Sequence, residues 1–588
     1  MALAEFSVPR LRIAERGNRL LLWTRANWAL VLVTLLAIVP VVVAFSRAAL
    51  HGWWPEGDDA VIGLKVRDIF GGHPPVMGMR STTGSVNPAL AAHHPGPLEF
   101  YLLALPSALT GFHPIGLLVG TAAIGVVTLV AVSLVAHRRG GLLLTMPVLA
   151  GALAVQWAVG PEVLFRPLNP YPAVLPVLLL LLLTWSLLVG DLACMWGYAL
   201  TASFVAQAHL AYLPVVLALT ALLAAVGVFR WYERRHAIWP LPGWRPLRRP
   251  GTARPGRRAI VVLALCWLPV VVETLRFDPD NLAQLMRYAT SDRQGDGIGW
   301  GTAASLVTGE LAPIPGGFSA LTQDNGPLYH GTSALAQVLG VCLVGALLFI
   351  AVQWRRLPLP AVTARAIATA SAVALYALVA TCATVALIPI SGLTPRYFII
   401  GLWPAVAFAW AVLGWTVAEM ARVRLSAQDR PALLPVQAYS MGASLILLAM
   451  AAVLACFSPV GLSWTNTDRA KAASDALAAR LSKTADSGGT VRIEAGGWVG
   501  WGSLSSAIAY RLERDGHRAY VPSLWPYPQD DDFRKLDAAP PGATRILIRE
   551  RVGSTSYGPD PGAGVSPVVA LPLGKDGRVE VFVDPAGP

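Results

Sequence analysis

Long apolar runs alternate with short polar, arginine-bearing stretches along most of this chain. A helix needs about 20 apolar residues to cross hydrocarbon. Val31–Phe45, Ile115–Val135, Ala173–Leu188, Val338–Val352 and Leu445–Cys456 are clear cores of such crossings. The full pattern predicts about eleven spans. They run over Trp28–Arg47, Ile115–Val135, Leu142–Val159, Ala173–Val189, Met195–Gln207, Leu213–Val228, Ala259–Val272, Leu335–Val352, Ile367–Ile388, Phe398–Val417 and Ala438–Phe457. Pro97–Leu109 is apolar but short, and Gly111-Phe-His-Pro114 interrupts it, so it reads as a helix lying in the membrane interface.

From Ser463 the pattern changes. Charges become frequent, Ala470–Leu481 and Ser503–Arg514 read as polar-faced helices, and Val491–Glu494, Ile546–Arg549 and Val579–Val583 read as strands. The expected architecture is an α-helical polytopic membrane protein with a C-terminal extracytoplasmic α/β domain. Its parts are a cytoplasmic segment 1–27, a transmembrane domain 28–460 whose first outer loop is 48–96, and the α/β domain 461–588. Gly496-Gly-Trp-Val-Gly-Trp-Gly502 joins a strand to a helix there. Such a turn is open to a phosphate-binding reading, although the spacing is not that of a dinucleotide fold and a tight connection accounts for it.

Composition agrees with this reading. Hydrophobic residues make up 55% of the 588 and charged residues 14%, against roughly 25% charged in soluble domains. The net charge of +12 comes from arginines grouped in alternate loops, such as Arg138 and Arg139, Arg230 to Arg258, and Arg422 to Arg430. That is the signature of cytoplasmic loops facing anionic lipid, not of a nucleic-acid partner. The basic loops place the N-terminus inside and the C-terminal domain outside a plasma membrane. The first span follows a long arginine-bearing segment without a small-residue cleavage site, and reads as a retained anchor. The cysteines lie in or beside apolar spans without metal-ligand spacing, so no disulfide framework is expected.

The chemistry-bearing residues fall in the outer loops. Asp58 and Asp59, in Glu56-Gly-Asp-Asp-Ala-Val-Ile-Gly-Leu, open a short helix just past the first span. An Asp there can cap the helix or serve as a base. Adjacent residues point in different directions, so which carboxylate faces a site stays open. His93-His94-Pro-Gly-Pro-Leu-Glu-Phe-Tyr101 opens the interfacial helix, with His94 and Glu99 as candidate binding groups or solvated polar groups. Arg166, Asn169, Gln207, His209, Arg396 and Tyr397 share the same membrane face and could line a common cavity. The competing account of Arg166 and Arg396 is that each snorkels to lipid headgroups.

In the order and placement of these motifs the chain resembles the GT-C superfamily of integral-membrane glycosyltransferases, which includes protein O-mannosyltransferases, aminoarabinose transferases and arabinofuranosyltransferases. The resemblance rests on Gly57-Asp58-Asp59, on His94-Pro-Gly-Pro-Leu-Glu-Phe-Tyr101 and on Arg396-Tyr397, and covers roughly residues 28–400. Asn169-Pro-Tyr-Pro172 and Ser203-Phe-Val-Ala-Gln-Ala-His209 look like stretches of actinobacterial membrane proteins of that group. The chain departs from the pattern in having His-Pro-Gly-Pro where many members have His-Pro-Pro, and in the insertion Ser81–Ala92. The resemblance implies a polyprenyl-phosphate sugar donor and transfer at the outer face to an envelope glycan, glycolipid or protein, with an acidic first-loop residue as base. Asp58 is assigned as that base and Asp59 to acceptor or metal contact, the two roles being exchangeable. Arg396 would stabilise the departing phosphate. A divalent cation is the one cofactor left open.

Two other classes compete. A flippase or transporter for lipid-linked sugars should show paired repeat halves with interrupted midplane helices, and neither these nor midplane charges are evident. A non-catalytic envelope scaffold leaves the clustered outer polar groups without a role. The loop Glu273–His330 is long enough to be a substrate-gating lid or a passive cover.

Overall fold

The computed structural model describes residues 27–81, 83, 90–236, 255–291, 297–312, 333–387, 399–426, 433–458, 462–482, 489–522 and 532–584. Eight helical segments are long and apolar enough to cross a membrane by length and composition. One of them, Pro114–Val159, is bent at Gly141 (φ 61°, ψ −157°) and so supplies two of the expected spans. The spans expected over Met195–Gln207 and Ala438–Phe457 are the shorter apolar helices Met195–Ala208 and Leu433–Cys456. Leu98–Leu109 is a separate 12-residue helix, as its length predicts. The loop after Arg276 carries two helices that the hydropathy pattern does not distinguish, Asn281–Thr290 and Trp300–Leu311.

The C-terminal part forms a mixed sheet of strands β1 (Thr490–Ala495), β2 (Arg518–Tyr520), β3 (Thr544–Val552), β4 (Thr555–Tyr557), β5 (Val569–Leu573) and β6 (Gly577–Asp584). The order is β2-β1-β3-β6-β5, with β4 paired to β3. β1 runs parallel to both its neighbours. β6 pairs antiparallel with β3 and β5. Helices Thr465–Leu481 and Ser505–Arg514 bury Ala473, Leu477, Ala507 and Ile508 against this sheet. The glycine-rich turn after β1 is a connection, not a phosphate cradle. The buried Glu550 carboxylate accepts from Val499 N (2.8 Å) and occupies the amide that an anion would need.

The sheet domain is tied to one end of the helical bundle through the first loop. Tyr510 Oη donates to Phe112 O (2.6 Å) and Trp54 N donates to Thr467 Oγ1 (2.9 Å). The short helix Gly57–Asp68 is bonded to the sheet domain at both ends. At its start Ser503 Oγ donates to Glu56 Oε2 (2.5 Å) and Ser506 Oγ donates to Gly57 O (3.0 Å). At its end Arg534 forks onto Asp68 (2.5 and 2.6 Å) while its other donors take Glu513 (2.6 Å each). Arg534 is nearly fully buried, so these bonds replace the water its charge has lost. At the opposite end of the bundle Arg138 bonds Asp191 (2.7 Å), and Arg230 donates to Leu188 O (2.5 Å).

Candidate active site

The helix Gly57–Asp68 sets the geometry of the site. Its N-cap is Glu56, whose side chain makes no capping bond, and Asp58 and Asp59 stand inside the first turn. Neither aspartate caps the helix; their carboxylates go elsewhere, about one residue's rotation apart. Asp59 is fully buried, and its Oδ2 accepts from Arg166 Nε at 2.8 Å. Arg166 reaches back from the short helix Pro161–Phe165 and also donates to Glu162 Oε2 (3.5 Å). It therefore does not snorkel to headgroups. Asp58, one residue before Asp59, is exposed.

The electrostatics separate the pair. Burial pushes the Asp59 carboxyl up to about 7, with Arg166 opposing and Glu56 and Asp58 reinforcing the rise. Asp58 is also raised, first by burial, while Arg166 and Arg80 pull the other way and Glu56 adds to it. Glu99, buried on the helix Leu98–Leu109, is driven well above the carboxylate range by burial and then by Asp59. The shift favours its neutral form, and its Oε1 has no hydrogen-bond partner among the described residues.

Several other candidates act as scaffolding. His94 Nδ1 accepts from Leu210 N (3.1 Å), and His209 Nδ1 accepts from Ala211 N (3.1 Å). The two rings lie 4.3 Å apart. Burial keeps both neutral, His94 well below its usual range with help from the charges of His209 and His93, and His209 down to about 3. Each imidazole therefore carries its proton on Nε2. Asn169 Nδ2 donates to Ala208 O (2.9 Å). Gln207 accepts from Leu98 N (3.2 Å) and donates to Cys266 O (2.9 Å), locking the start of the interfacial helix onto two spans. Gln207 also explains His-Pro-Gly-Pro: a Cβ on Gly96 would stand 2.3 Å from Gln207 Oε1. These bonds of His94, Asn169, Gln207 and His209 go to backbone and hold the loops of this face together. Arg396 and Tyr397 lie outside the described residues.

The insertion Ser81–Ala92 is closed at its base. Arg80 bridges His93, Ser81 N donates to Ala92 O (3.1 Å), and Asn281 Oδ1 accepts from His93 N (2.8 Å). Glu56, Arg80 and Glu162 are site residues to which the sequence reading gave no role. Glu56 beside the Asp-Asp motif and Glu162 four residues before Arg166 carried local signals, whereas Arg80 did not. Tyr171 is shared between two surroundings. Its phenol is close enough to affect Arg166, and its side chain also lines a narrow apolar cleft with Val41, Gly125, Val155 and Val163. Among the described residues no group of three or more His, Cys, Asp or Glu is placed to share a metal ion.

Fold and site together define a polytopic helical membrane protein with a sheet domain over an acidic first-loop helix. Among solved structures the chain matches that of ArnT from Cupriavidus metallidurans bound to undecaprenyl phosphate. ArnT is a GT-C aminoarabinose transferase. The TM-score is 0.53 at 13% identity, over 96% of this chain and 99% of that one. The apo structure of the same protein aligns at a TM-score of 0.39 and 13% identity, over 96% and 100% of the two chains. No protein-family model matches the chain, and no curated protein matches it.

Proposed function

We propose that the chain is a membrane glycosyltransferase that moves a sugar from a polyprenyl-phosphate donor to an envelope glycan, glycolipid or protein at the outer face. The observation that carries this reading is the split between two adjacent aspartates. Asp58 is exposed while Asp59 is buried against Arg166. That division leaves one carboxylate accessible to a substrate hydroxyl and turns the other into its support. The GT-C fold, shared with a transferase whose structure holds undecaprenyl phosphate, supports a polyprenyl-phosphate donor.

In the reaction the acceptor oxygen attacks the anomeric carbon and the bond from that carbon to the phosphate oxygen breaks. Asp58 takes the hydroxyl proton, and polyprenyl phosphate leaves with the bonding electron pair. The proton then passes from Asp58 to phosphate or solvent. Attack opposite the leaving group inverts the anomeric carbon. A phosphate leaves without a strong general acid, so one carboxylate suffices, in contrast to glycoside hydrolysis. Positive charge from Arg166 and Arg80, and in this scheme Arg396, favours the phosphate as its charge grows. The test is transfer by the purified protein from a panel of radiolabelled polyprenyl-phosphate sugars to an envelope extract, beside Asp58→Asn. Label in acceptor that depends on Asp58 supports the scheme; full transfer by Asp58→Asn overturns it.

A further inference from the structure

The turn Gly496-Gly-Trp-Val-Gly-Trp-Gly502 is built more rigidly than a simple connection requires. Gly496 N donates to Ile548 O (3.1 Å), and Glu550 Oε2 takes Val499 N (2.8 Å) and Gly500 N (3.5 Å). At Gly497 the backbone has φ 79°, and a Cβ would stand 2.3 Å from that same Glu550 oxygen. A buried carboxylate and a glycine thus fix the backbone on both sides of Trp498. Yet the Trp498 ring is 75% exposed, with the Trp501 ring beside it at 6.4 Å and tilted by 54°. A large apolar ring held out into water on a fixed backbone marks a binding surface more than a packing element.

Its position says what it serves. Ser503, two residues past Trp501, donates to Glu56 (2.5 Å), and Ser506 donates to Gly57 O (3.0 Å). Asp58 follows directly. The tryptophan-bearing turn therefore runs into the residues bonded to the first turn of the helix that presents the accessible carboxylate.

We propose that Trp498, with Trp501, is the stacking platform for the saccharide acceptor. This rests on the transferase reading above and names its acceptor as a carbohydrate chain. One face of a sugar ring is a patch of C–H groups that is weakly hydrated and carries partial positive charge. It complements the negative face of an indole, while the hydroxyls on the ring's edge stay free for the base. A platform on the sheet domain holds a sugar unit of the acceptor while the donor's lipid stays in the bundle. A tryptophan has only two rotatable side-chain bonds, so presenting it costs little conformational freedom.

The test uses the full-length protein in nanodiscs and has two arms. The first measures binding of soluble arabinan, mannan and dextran oligosaccharides to wild type, Trp498→Ala and Trp498→Phe, with no donor present. The second measures acceptor KM and donor KM wherever transfer is detected. The platform predicts binding of at least one oligosaccharide, weakened about tenfold in Trp498→Ala and largely kept in Trp498→Phe. In turnover, acceptor KM should rise by a similar factor while donor KM stays within about twofold. Trp498-dependent binding without transfer from any donor would uphold the platform and sink the transferase reading. Transfer with an acceptor KM unchanged in Trp498→Ala would overturn the platform and leave that reading intact. Absence of Trp498-dependent oligosaccharide binding also overturns it. Quenching of Trp498 emission by brominated lipid would then identify the ring as a membrane-interface anchor.

Discussion

Arg166 donates through Nε to Oδ2 of Asp59 at 2.8 Å, and this one bond assigns different work to two neighbouring carboxylates. Asp59 is committed to an internal ion pair. Asp58, one residue earlier, stays exposed.

Asp58→Asn should lower the transfer rate by about 10² to 10⁴, the usual contribution of a positioned base, with the fold intact. Asp59→Asn should cost less in rate and more in stability, because it leaves the Arg166 charge without its buried counter-ion. Single-turnover rates and detergent unfolding curves of the two variants check both halves. Equal rate losses would remove the distinction between them.

The pH dependence follows from the direction of the Asp58 shift. Burial and Glu56 raise it above its ordinary value. The base must be ionised to work, so kcat/KM should climb with pH along a limb above the usual carboxylate range. Glu56→Gln removes a like charge, stabilises the ionised Asp58, and should move that limb to lower pH. A limb unmoved in Glu56→Gln would mean that another group governs it.

Burial and then Asp59 raise the Glu99 carboxyl and so favour its neutral form. Glu99→Gln keeps shape and charge and should stay within about threefold of wild type at pH 7. A loss of a hundredfold or more would assign Glu99 an ionised role.

Gly96→Ala would drive a methyl against Gln207, whose Oε1 is 2.3 Å from where the new Cβ would stand. Overpacking of this kind typically costs about 1–3 kcal/mol. Adding Gln207→Ala should return part of that stability, a coupling that thermal unfolding of the single and double variants can read. Purely additive losses would show that the two residues do not press on each other.

Arg534→Ala should cost about 3–5 kcal/mol, because it strands Asp68 and Glu513 as buried carboxylates without their common partner. Unfolding monitored at the sheet domain is the measurement, and a change under 1 kcal/mol would place those groups in water.

Hydropathy made the spans legible, because hydrocarbon demands long apolar helices whatever their partners. Even Leu98–Leu109 was readable as too short to cross. Within the site, Asp58, Asp59, Glu99 and Arg166 were all visible as outward-loop polar residues. Their relations were not. Arg166 and Asp59 are 107 positions apart, Ser503 and Glu56 447, and nothing local to either residue specifies the other. The amides that His94 and His209 accept from were not legible either: an imidazole bonded to backbone has the same letter as any other. The short strands β2, β4 and β5 were missed because three to five residues hold too little alternation to read.

The helix Gly57–Asp68 is fastened to the sheet domain at its first residues through Ser503 and Ser506, and at its last through Arg534. Although it follows directly from the first span, it belongs mechanically to the far end of the chain. Chimeras that exchange everything after residue 460 would therefore split a single working part in two. Swaps between such proteins should carry loop 48–96 together with the C-terminal domain, as one cassette.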